Sequence, residues 1–539
     1  MFEFSFEEIP GFSKLFNDFL KRTSFFEERF HYLEDLLISD KLIQKKLTSY
    51  QNRELFSKII EISNSNLELS YKQKINLEKI NKENTAVVVT GQQPAFFGGP
   101  LYIYYKTYTT IKIANLLSEK YPEYNFVPVF WIEDNDHDCI EAFQTIFLDK
   151  NYNLVEIPID EICLNTWKLP LSEYYLSESN YKFLDFYLNF SSFYDKNFEF
   201  SKFLSELYNS ENSLVKSFKS ILNKLFNEDG ILFIEASKCR QYKAFKEILY
   251  RELDNFAASY SIIETANSLI ESQGYHIQAK NSLPNLFFHS NTKRTKIVWN
   301  EAKKTFILDG FEVPEDEILH FFESNIDKFS PNVLLRPICQ DFLLPNVLSV
   351  LGPSEIGYFA QLKELYYWHQ VQAPAVIPRH SISFITSKFW DLVETKGFTF
   401  FLKNSKEIEN FIYSSLRNLD LLETINNLEK EFANIFEKLS ELGSKFEQSL
   451  IISAEAHYKK SLKNFNSLIA KIFTAEKRNI LEKNKEFYQL NNILYPKGSL
   501  QERLLGFVFP ILLFGEEKFK AEIQPVIERP STKHYLVIF

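Results

Sequence analysis

Short runs of apolar, β-branched residues predict the buried strands of a parallel sheet. Residues 85–90 (TAVVVT) and 126–132 (FVPVFWI) are two such runs. Residues 101–121, between them, carry apolar side chains at helical spacing. The order and size of these segments predict a strand–helix–strand unit, in which the two strands are parallel and the crossover is right-handed.

A second unit of the same kind is predicted much later in the chain. Its strands lie at residues 347–351 and 373–378, and its helix at residues 356–369. Residues 230–236 (GILFIEA) predict one more strand, followed by a helix. The fold class predicted is therefore α/β, with a Rossmann-like parallel sheet as the core.

After residue 387 the pattern changes to heptads. Apolar residues recur at alternating spacings of four and three, first at Leu421, Ile425, Leu428, Phe432, Ile435, Leu439, Leu442 and Phe446, and after a break at Tyr458, Leu462, Phe465, Ile469 and Ile472. Two such seams joined by a bend predict an antiparallel helical hairpin of coiled-coil type. The apolar seam then packs on the other arm, on a second subunit, or on both.

These patterns divide the chain into four regions. The predicted regions are an N-terminal helical region (1–84), a Rossmann-like core (85–385) with inserted connecting segments at about 140–325, an antiparallel coiled coil (386–494), and a C-terminal segment that returns to the core (495–539).

Charge and cysteine content narrow the function classes. The net charge is −10, from 61 basic and 71 acidic side chains, and no dense basic stripe is present, so no nucleic-acid partner is expected. The four cysteines form no CxxC pair, which predicts neither a disulfide framework nor a zinc site and fits a reducing compartment. The longest apolar run, residues 504–515, is too short to span a membrane, and residues 1–12 do not resemble a secretory signal, so a cytoplasmic location without a membrane partner is expected.

Candidate chemistry lies in the loops that follow the predicted strands, because ligands of parallel sheets bind beyond the carboxyl ends of the strands. The first loop is GQQPAFFGGP, with Gly91, Gly98 and Gly99 as candidates for close approach to a nucleotide. Gln92 and Gln93 are candidates for binding a substrate hydroxyl, carboxylate or amide. The alternative is a tight turn that needs glycine for backbone reasons. No Gly-Lys-Ser/Thr follows, so the loop is not a Walker A motif.

The second loop, residues 133–138 (EDNDHD), holds five ionisable groups in six positions. Carboxylates beside a histidine are typical of sites of general acid–base catalysis and of magnesium sites. The alternative is a solvated acidic turn. A zinc site is disfavoured because no second His or Cys lies at ligand spacing. Cys139, which follows, is either a nucleophile or, more commonly for such a residue, a small buried side chain.

Two further clusters complete the candidate site. Arg336 is able to clamp a carboxylate or phosphate, or else to pair structurally with Asp341. Ser354 is not in a G-x-S-x-G elbow, which argues against a serine hydrolase. The candidate substrate-binding residues of these clusters are Arg336, Gln340, Asp341, Glu355, Tyr358 and Arg379.

Six phrases of this chain, in this order, resemble the family of cysteine-adding enzymes of bacillithiol biosynthesis (BshC). They are VVVTGQQPAFFGGPLYIYYK, VPVFWIEDNDHD, SPNVLLRPICQDFLLPNV, LGPSEIGYFAQLK, PAVIPRHS and KGSLQER. The resemblance runs over nearly the full length. It implies a core similar to class I aminoacyl-tRNA synthetases and nucleotidylyltransferases, with connecting-peptide insertions and a coiled coil used in homodimerisation.

The resemblance also implies a reaction, in which L-cysteine is joined to the amine of glucosaminyl-malate as an amide. ATP is the expected energy source, and Mg²⁺ is a possible companion. Lys497 and Ser499, in a late loop, and Arg503 are expected to contact the nucleotide.

One departure from the family changes the expected site. The acidic loop of the family is closer to W-x-A-x-E-D-H-D, whereas this chain has Glu133 and Asn135 at the Ala and Glu positions. The expected catalytic residues therefore narrow to Asp136, His137 and Asp138, with His137 deprotonating or positioning the substrate ammonium.

Two other functions stay open on the sequence. One is a nucleotidylyltransferase or synthetase-like enzyme that activates a different carboxylate. The other is a non-catalytic coiled-coil dimer that binds a ligand.

Overall fold

The computed structural model describes residues 1–159, 167–190, 198–208, 211–396, 419–483 and 485–539, and the single positions Cys163 and Asn410. The described chain forms two compact units. The first comprises Met1–Ser387 and Ser499–Phe539, and the second comprises Lys388–Gly498. Part of the predicted coiled-coil region, residues 397–409 and 411–418, lies outside the described residues.

The N-terminal region is mainly helical and contributes two short strands. Its elements are β1 (Phe2–Ser5), α1 (Lys14–Leu20), α2 (Ser24–Arg29), β2 (His31–Tyr32), α3 (Leu33–Ile38), α4 (Lys41–Ser49), α5 (Arg53–Asn64) and α6 (Tyr71–Ile80).

The first half of the core contains the first predicted strand–helix–strand unit and an insertion after it. Its elements are β3 (Thr85–Gln92), α7 (Leu101–Lys120), β4 (Asn125–Ile132), α8 (Cys139–Phe143), β5 (Ile146–Leu148), β6 (Leu154–Glu156), α9 (Glu178–Phe190), α10 (Phe198–Leu207), α11 (Leu214–Phe226), β7 (Leu232–Glu235), α12 (Ala236–Gln241), α13 (Lys246–Asp254) and α14 (Phe256–Ser272).

The second half of the core holds two small antiparallel sheets and the second predicted strand–helix–strand unit. Its elements are β8 (Leu286–His289), β9 (Arg294–Lys296), β10 (Val298–Asn300), β11 (Thr305–Leu308), β12 (Phe311–Pro314), α15 (Ile318–Ser324), β13 (Phe329–Pro331), α16 (Arg336–Leu343), β14 (Asn346–Leu351), α17 (Pro353–Phe359), α18 (Lys363–Trp368), β15 (Ala375–Pro378) and β16 (Ser381–Ile385).

The remaining elements are four helices among the described residues of the second unit, followed by the C-terminal segment of the first unit. They are α19 (Trp390–Lys396), α20 (Leu419–Ser444), α21 (Ser449–Lys483), α22 (Lys485–Leu494), α23 (Gln501–Leu504), α24 (Val508–Phe514), α25 (Glu516–Ile527) and β17 (Lys533–Ile538).

A six-stranded sheet forms the core of the first unit. Its strand order is β2-β15-β14-β3-β4-β7, and every neighbouring pair is parallel. All five strands predicted from the apolar runs belong to it, so the α/β class with a Rossmann-like parallel sheet is confirmed. The edge strand β2 comes from the N-terminal region, whose β1 pairs with β17 in a separate three-stranded sheet with β16.

Both faces of this sheet are covered, as the continuous apolar runs require. Successive side chains of a strand point to opposite faces. Val87 and Val89 of β3 pack in one hydrophobic cluster, whereas Ala86 and Val88 pack in another with Leu117 of α7. Burying a valine side chain stabilises the folded state by about 1.5–3 kcal/mol, so burial on both faces holds each strand in the centre of the fold.

The second unit contains the predicted antiparallel hairpin. Arms α20 and α21 contact each other through aromatic pairs, with Phe432 stacked on Phe465 at 4.6 Å between ring centroids and Phe436 at 5.4 Å from Tyr458. Five of the eight residues of the first predicted seam remain exposed, between 46% and 81% of their surface: Leu428, Ile435, Leu439, Leu442 and Phe446. We call these five residues, four on α20 and Phe446 just after its end, the α20 stripe.

Candidate active site

A cavity of about 520 Å³ opens at the edge of the sheet where β3, β4 and β14 end. The predicted site residues that line it are Gly91, Gln92, Gln93, Asp136, His137, Arg336, Glu355 and Tyr358. The other lining residues are Trp131, Glu133, Glu141, Lys280, Ser282, Phe287, Arg294, Lys296, Pro331, Asn332 and Val333. Cations and carboxylates are thus mixed in one concave site.

An ion pair between a buried lysine and a half-buried glutamate lies at the base of this cavity. The ammonium of Lys106, on α7, is paired with the carboxylate of Glu355 and donates to the backbone carbonyl of Gly91 at 2.9 Å and to Gln92 Oε1 at 3.1 Å. Burial lowers the pKa of Lys106, and the charge of Glu355 opposes that shift. Because an unpaired buried charge is costly, the pair fixes the end of β3 and the start of α17 relative to each other.

The glycines of the first loop serve different purposes. Gly91 lies where β3 approaches β4, and a Cβ there would be 2.8 Å from the carbonyl oxygen of Trp131. Gly98 has a φ of +75°, and a Cβ there would strike the ring of Phe507 at 2.2 Å. The amide of Leu101, at the start of α7, donates to the carbonyl of Leu505 at 2.8 Å. Gly98 and its neighbour Gly99 are therefore in a packed turn outside the cavity lining, and only Gly91 lines the cavity.

Three residues of the acidic loop do not face the cavity. Asp134 is fully buried and accepts from the backbone amide and hydroxyl of Ser237, at 2.7 and 2.5 Å. Burial and the nearby charge of Glu235 raise the pKa of Asp134 to about 7. Asn135 accepts from Arg240, and Asp138 is the N-cap of α8 and accepts from the Glu141 amide at 2.9 Å. The predicted catalytic group Asp138 is thus outside the cavity lining.

Asp136 and His137 line the cavity together with Arg294. Nη1 of Arg294 is 3.3 Å from Asp136 Oδ1 and 3.2 Å from His137 Nδ1. Burial would raise the pKa of Asp136, but hydrogen bonding with His137, whose backbone amide donates to Asp136 Oδ1 at 2.8 Å, and the charge of Arg294 lower it below its usual value. Asp136 is therefore held as a carboxylate.

Two glutamates add carboxyl groups to the same wall. Glu133 accepts from the indole nitrogen of Trp131 at 2.9 Å, and burial raises its pKa. Burial, followed by the charge of Asp138, raises the pKa of Glu141. Carboxyl groups with raised pKa values are better proton acceptors near neutral pH than ordinary ones. Glu133, which the sequence comparison demoted, is therefore part of the site.

Arg336 presents its guanidinium to the cavity from α16. Nη1 donates to Gln340 Oε1 at 2.9 Å, and Nη2 donates to the hydroxyl of Tyr358 at 3.1 Å. Gln340 donates in turn to Asp341, whose buried carboxylate also accepts from Tyr366. Gln340 and Asp341 are outside the cavity lining and support Arg336 from behind. The alternative of a direct Arg336–Asp341 pair is not what the structure shows.

The remaining predicted residues lie elsewhere. Arg379 is buried and bonded to Glu502 at 2.6 Å and to the carbonyl of His380 at 2.9 Å, away from the cavity lining. Arg503 is exposed on α23, and Ser499 is half-buried just before it. Lys497 is an exposed residue of the second unit.

The prediction that no disulfide forms is wrong for one pair of cysteines. Cys139 and Cys163 form a disulfide with a Cα–Cα distance of 5.6 Å, although 24 residues separate them. The chain after Cys163 returns to the acidic loop, where the amide of Leu171 donates to the carbonyl of Asp136 at 2.7 Å. Sequence spacing could not show this return. Cys239 and Cys339 are free and buried.

Several site residues were missed because they come from the inserted segment. Strand pairing of β8 with β9 places Phe287 opposite Lys296, and alternation places Arg294 on the same face as Lys296. The only sequence signal was the basic stretch TKRTK at 292–296. Lys106 had a clearer signal, because a lysine among the apolar positions of a buried helix needs a partner.

Neither a metal cluster nor a membrane span is found in the part of the chain that the structure describes. No three His, Cys, Asp or Glu side chains among these residues are grouped to hold a metal ion. The helices within the described ranges are all too short or too polar to cross a membrane.

Comparison with known proteins gives the same result for both units of the chain. Residues 3–380 match the family described as "Bacillithiol biosynthesis BshC, N-terminal Rossmann-like domain", and residues 393–539 match "Bacillithiol biosynthesis BshC, C-terminal coiled-coil domain".

Curated relatives carry the name "Putative cysteine ligase BshC". The protein from Flavobacterium psychrophilum is 28% identical over 97% of this chain and 97% of its own length. That from Flavobacterium johnsoniae is 28% identical over 95% of both chains. That from Chlorobium phaeobacteroides is 32% identical over 70% of this chain and 68% of its own.

Proposed function

The chain belongs to the bacillithiol biosynthesis BshC family, and on that premise we propose that it joins L-cysteine to the amine of glucosaminyl-malate as an amide. The observation that carries the proposal is the mixed charge of the cavity. Lys280, Arg294, Lys296 and Arg336 line it together with a set of carboxylates. A substrate that is anionic at one end and carries an amine at the other complements such a site.

Arg336 is the proposed contact for the malate part of the acceptor. Two of its five N–H donors bond to Gln340 and Tyr358, which fix the plane of the guanidinium. A planar guanidinium held in this way binds a carboxylate through two parallel hydrogen bonds. The exposed side chains of Lys280 and Lys296 would add charge at the cavity mouth without setting the geometry.

The carboxylates of the cavity are the proposed partners of the acceptor amine. An ammonium must lose a proton before its nitrogen attacks a carbonyl carbon. Asp136 and His137 are the groups of the predicted catalytic set that line the cavity, and Glu133 lines it as well. We therefore assign the proton transfers of the reaction to this part of the wall.

ATP is the proposed energy source, because a free carboxylate does not acylate an amine in water without activation. The cysteine carboxylate would attack a phosphorus atom of the nucleotide, and a phosphoanhydride bond of ATP would break, with pyrophosphate or ADP leaving with the electron pair. The mixed anhydride formed would then acylate the amine and release its phosphate group. Ser499 and the exposed Arg503 keep their predicted role as contacts of the nucleotide phosphates. Any Mg²⁺ would enter with those phosphates, which are its usual ligands.

The proposal is tested by the preference of the enzyme for an acceptor with malate over one without. Arg336→Gln and Arg336→Lys would be compared with the wild type on glucosaminyl-malate and on glucosamine, with L-cysteine and ATP present. Hydrogen bonds to charged groups contribute about 1.5–3 kcal/mol, so Arg336→Gln should raise KM for glucosaminyl-malate by about tenfold to a hundredfold. KM for glucosamine should change little. Equal effects on the two acceptors would contradict the assignment.

We also propose that the protein is a homodimer joined through the coiled coil. The α20 stripe exposes five large apolar side chains at heptad spacing, four of them on α20 and Phe446 in the turn that follows it. Exposed apolar seams of this kind usually have a partner helix. In a two-fold symmetric dimer, the stripe of one copy would pack against the same stripe of the other, so that both would be buried.

A further inference from the structure

The ring of His137 is oriented by residues of the inserted segment. The Phe287 ring lies edge-on to the His137 ring, at 6.1 Å between ring centroids. The guanidinium of Arg294 stacks over the Phe287 ring, with Cζ 3.7 Å from its centroid. Arg294 is almost fully buried and is also bonded to Ser330 and Pro331. Its Nη1 atom therefore has a fixed position, 3.2 Å from His137 Nδ1.

This contact bears on which ring nitrogen of His137 carries the proton. A guanidinium has only donors, so a nitrogen at hydrogen-bond distance from it must accept. Nη1 has two N–H groups, and its second contact is the carboxylate of Asp136 at 3.3 Å. The distance from His137 Nδ1 to Asp136 Oδ1 is longer, at 3.5 Å. Nδ1 thus lies closer to the donor Nη1 than to the acceptor Oδ1, and a ring that accepts at Nδ1 carries its proton on Nε2.

We infer that His137 acts as a hydrogen-bond donor through Nε2–H in the reaction, and that Arg294 is the positioning residue that sets this tautomer. The inference rests on the proposed amide-forming function. It replaces the expectation that His137 removes the proton of the ammonium, because Nε2 already bears a hydrogen and Nδ1 is engaged by Arg294.

The donor has a defined task in the acylation step. The amine lone pair forms the C–N bond to the activated cysteine carbonyl, and the carbonyl π pair moves to oxygen. His137 Nε2–H donates to that oxyanion. The oxygen pair then returns, the bond from carbon to the phosphate oxygen breaks, and the phosphate group leaves with its electron pair. The amine proton passes to the carboxylate of Glu133, so no electrons are gained or lost.

Glu133 fits the role of proton acceptor on geometry. It lines the same cavity as His137, and one carboxylate oxygen is oriented by the Trp131 indole N–H. Burial raises its pKa, which brings the carboxylate closer in basicity to an amine under attack.

Replacing His137 with glutamine or asparagine distinguishes a role as hydrogen-bond donor from a role as general base. The amide nitrogen of glutamine reaches the position of histidine Nε2, whereas asparagine reaches only that of Nδ1, and neither amide accepts a proton as a base does. Loss of one oxyanion donor costs about 100- to 1,000-fold in kcat. His137→Asn should therefore lose about 100-fold or more, and His137→Gln should stay within about tenfold of the wild type. Equal losses in the two variants would overturn the donor role.

NMR spectroscopy of the histidine rings tests the same inference without requiring turnover. In protein labelled with ¹⁵N-histidine, the ring signals of His137 are those among the nine histidines that disappear in His137→Gln. The expected result at neutral pH is a protonated Nε2 and an unprotonated Nδ1. Arg294→Met should produce a mixture of tautomers, and Arg294→Lys should restore part of the preference. A protonated Nδ1 in the wild type, or no change in Arg294→Met, would overturn the inference even if no substrate pair were turned over.

Discussion

Arg379 is predicted to act in stability rather than in substrate binding, and Arg379→Met tests this. Its side chain is 5% exposed, and that of its partner Glu502 is fully buried. The carboxylate of Glu502 accepts from Arg379 at 2.6 Å, from the Ser381 hydroxyl at 2.9 Å and from the Ile382 amide at 3.1 Å. Burial would raise the pKa of Glu502, but the charge of Arg379 lowers it.

The expected loss of unfolding free energy follows from the unpaired carboxylate of Glu502 that Arg379→Met leaves in the core. Removing one partner of a buried ion pair strands the other charge, at a cost of about 3–5 kcal/mol. A second change, Glu502→Gln, removes the stranded charge and keeps an oxygen for the Ser381 and Ile382 donors. The double variant should therefore be about 2 kcal/mol more stable than Arg379→Met alone.

Urea unfolding followed by tryptophan fluorescence measures these differences, with KM for glucosaminyl-malate measured on the folded variants. Arg503→Met is the matched control, because Arg503 is an exposed arginine next to Glu502 in sequence and its loss should change stability by less than about 0.5 kcal/mol. The reasoning would be refuted if Arg379→Met unfolded at the wild-type urea concentration while KM rose tenfold.

Three further predictions use other parts of the molecule. Burial lowers the pKa of His534 from 6.5 to about 4. The stability that its neutral ring contributes is therefore full above pH 6.5 and is lost as the pH falls towards 4, by up to about 1.4 kcal/mol per pH unit. In urea unfolding, His534→Gln should lose less stability than the wild type over that range, and an equal loss would show that the ring is not neutral in the fold. Leu442→Glu should convert a dimer into a monomer in light scattering after gel filtration, whereas the neighbouring Glu441→Lys should not; a dimer that survives Leu442→Glu would place the interface elsewhere. Denatured, unreduced protein should be alkylated only at Cys239 and Cys339, and after reduction at all four cysteines; four alkylated cysteines without reduction would exclude the disulfide.

The parallel sheet was predictable because its strands are signalled locally. Each is a short apolar run, and a strand covered on both faces needs no partner information to be recognised. The helix predicted at 356–369 is instead two helices, α17 and α18. Between them, the side chain of Gln361 bonds to Asn267 and to both backbone groups of Ala279. Those partners are distant in sequence, so the apolar spacing alone could not reveal the break.

The candidate site was predictable only in part, for a related reason. The strand ends located the acidic loop, but not the direction of each side chain, so Asp134 and Asp138 could not be separated from Asp136. Arg294 reaches the loop from a small antiparallel sheet whose position depends on long-range packing. The sequence therefore predicted the edge of the sheet at which the candidate site lies, and the structure shows which groups share the cavity there.

The most direct test of the central claim is product formation by purified protein, followed by mass spectrometry. The full mixture holds L-cysteine, glucosaminyl-malate, ATP and Mg²⁺, and parallel mixtures omit one component each. The account predicts a product with the mass of the two substrates joined with loss of water, formed only when both substrates and ATP are present. Folded protein that forms no such product in the full mixture would contradict the proposed ligase function.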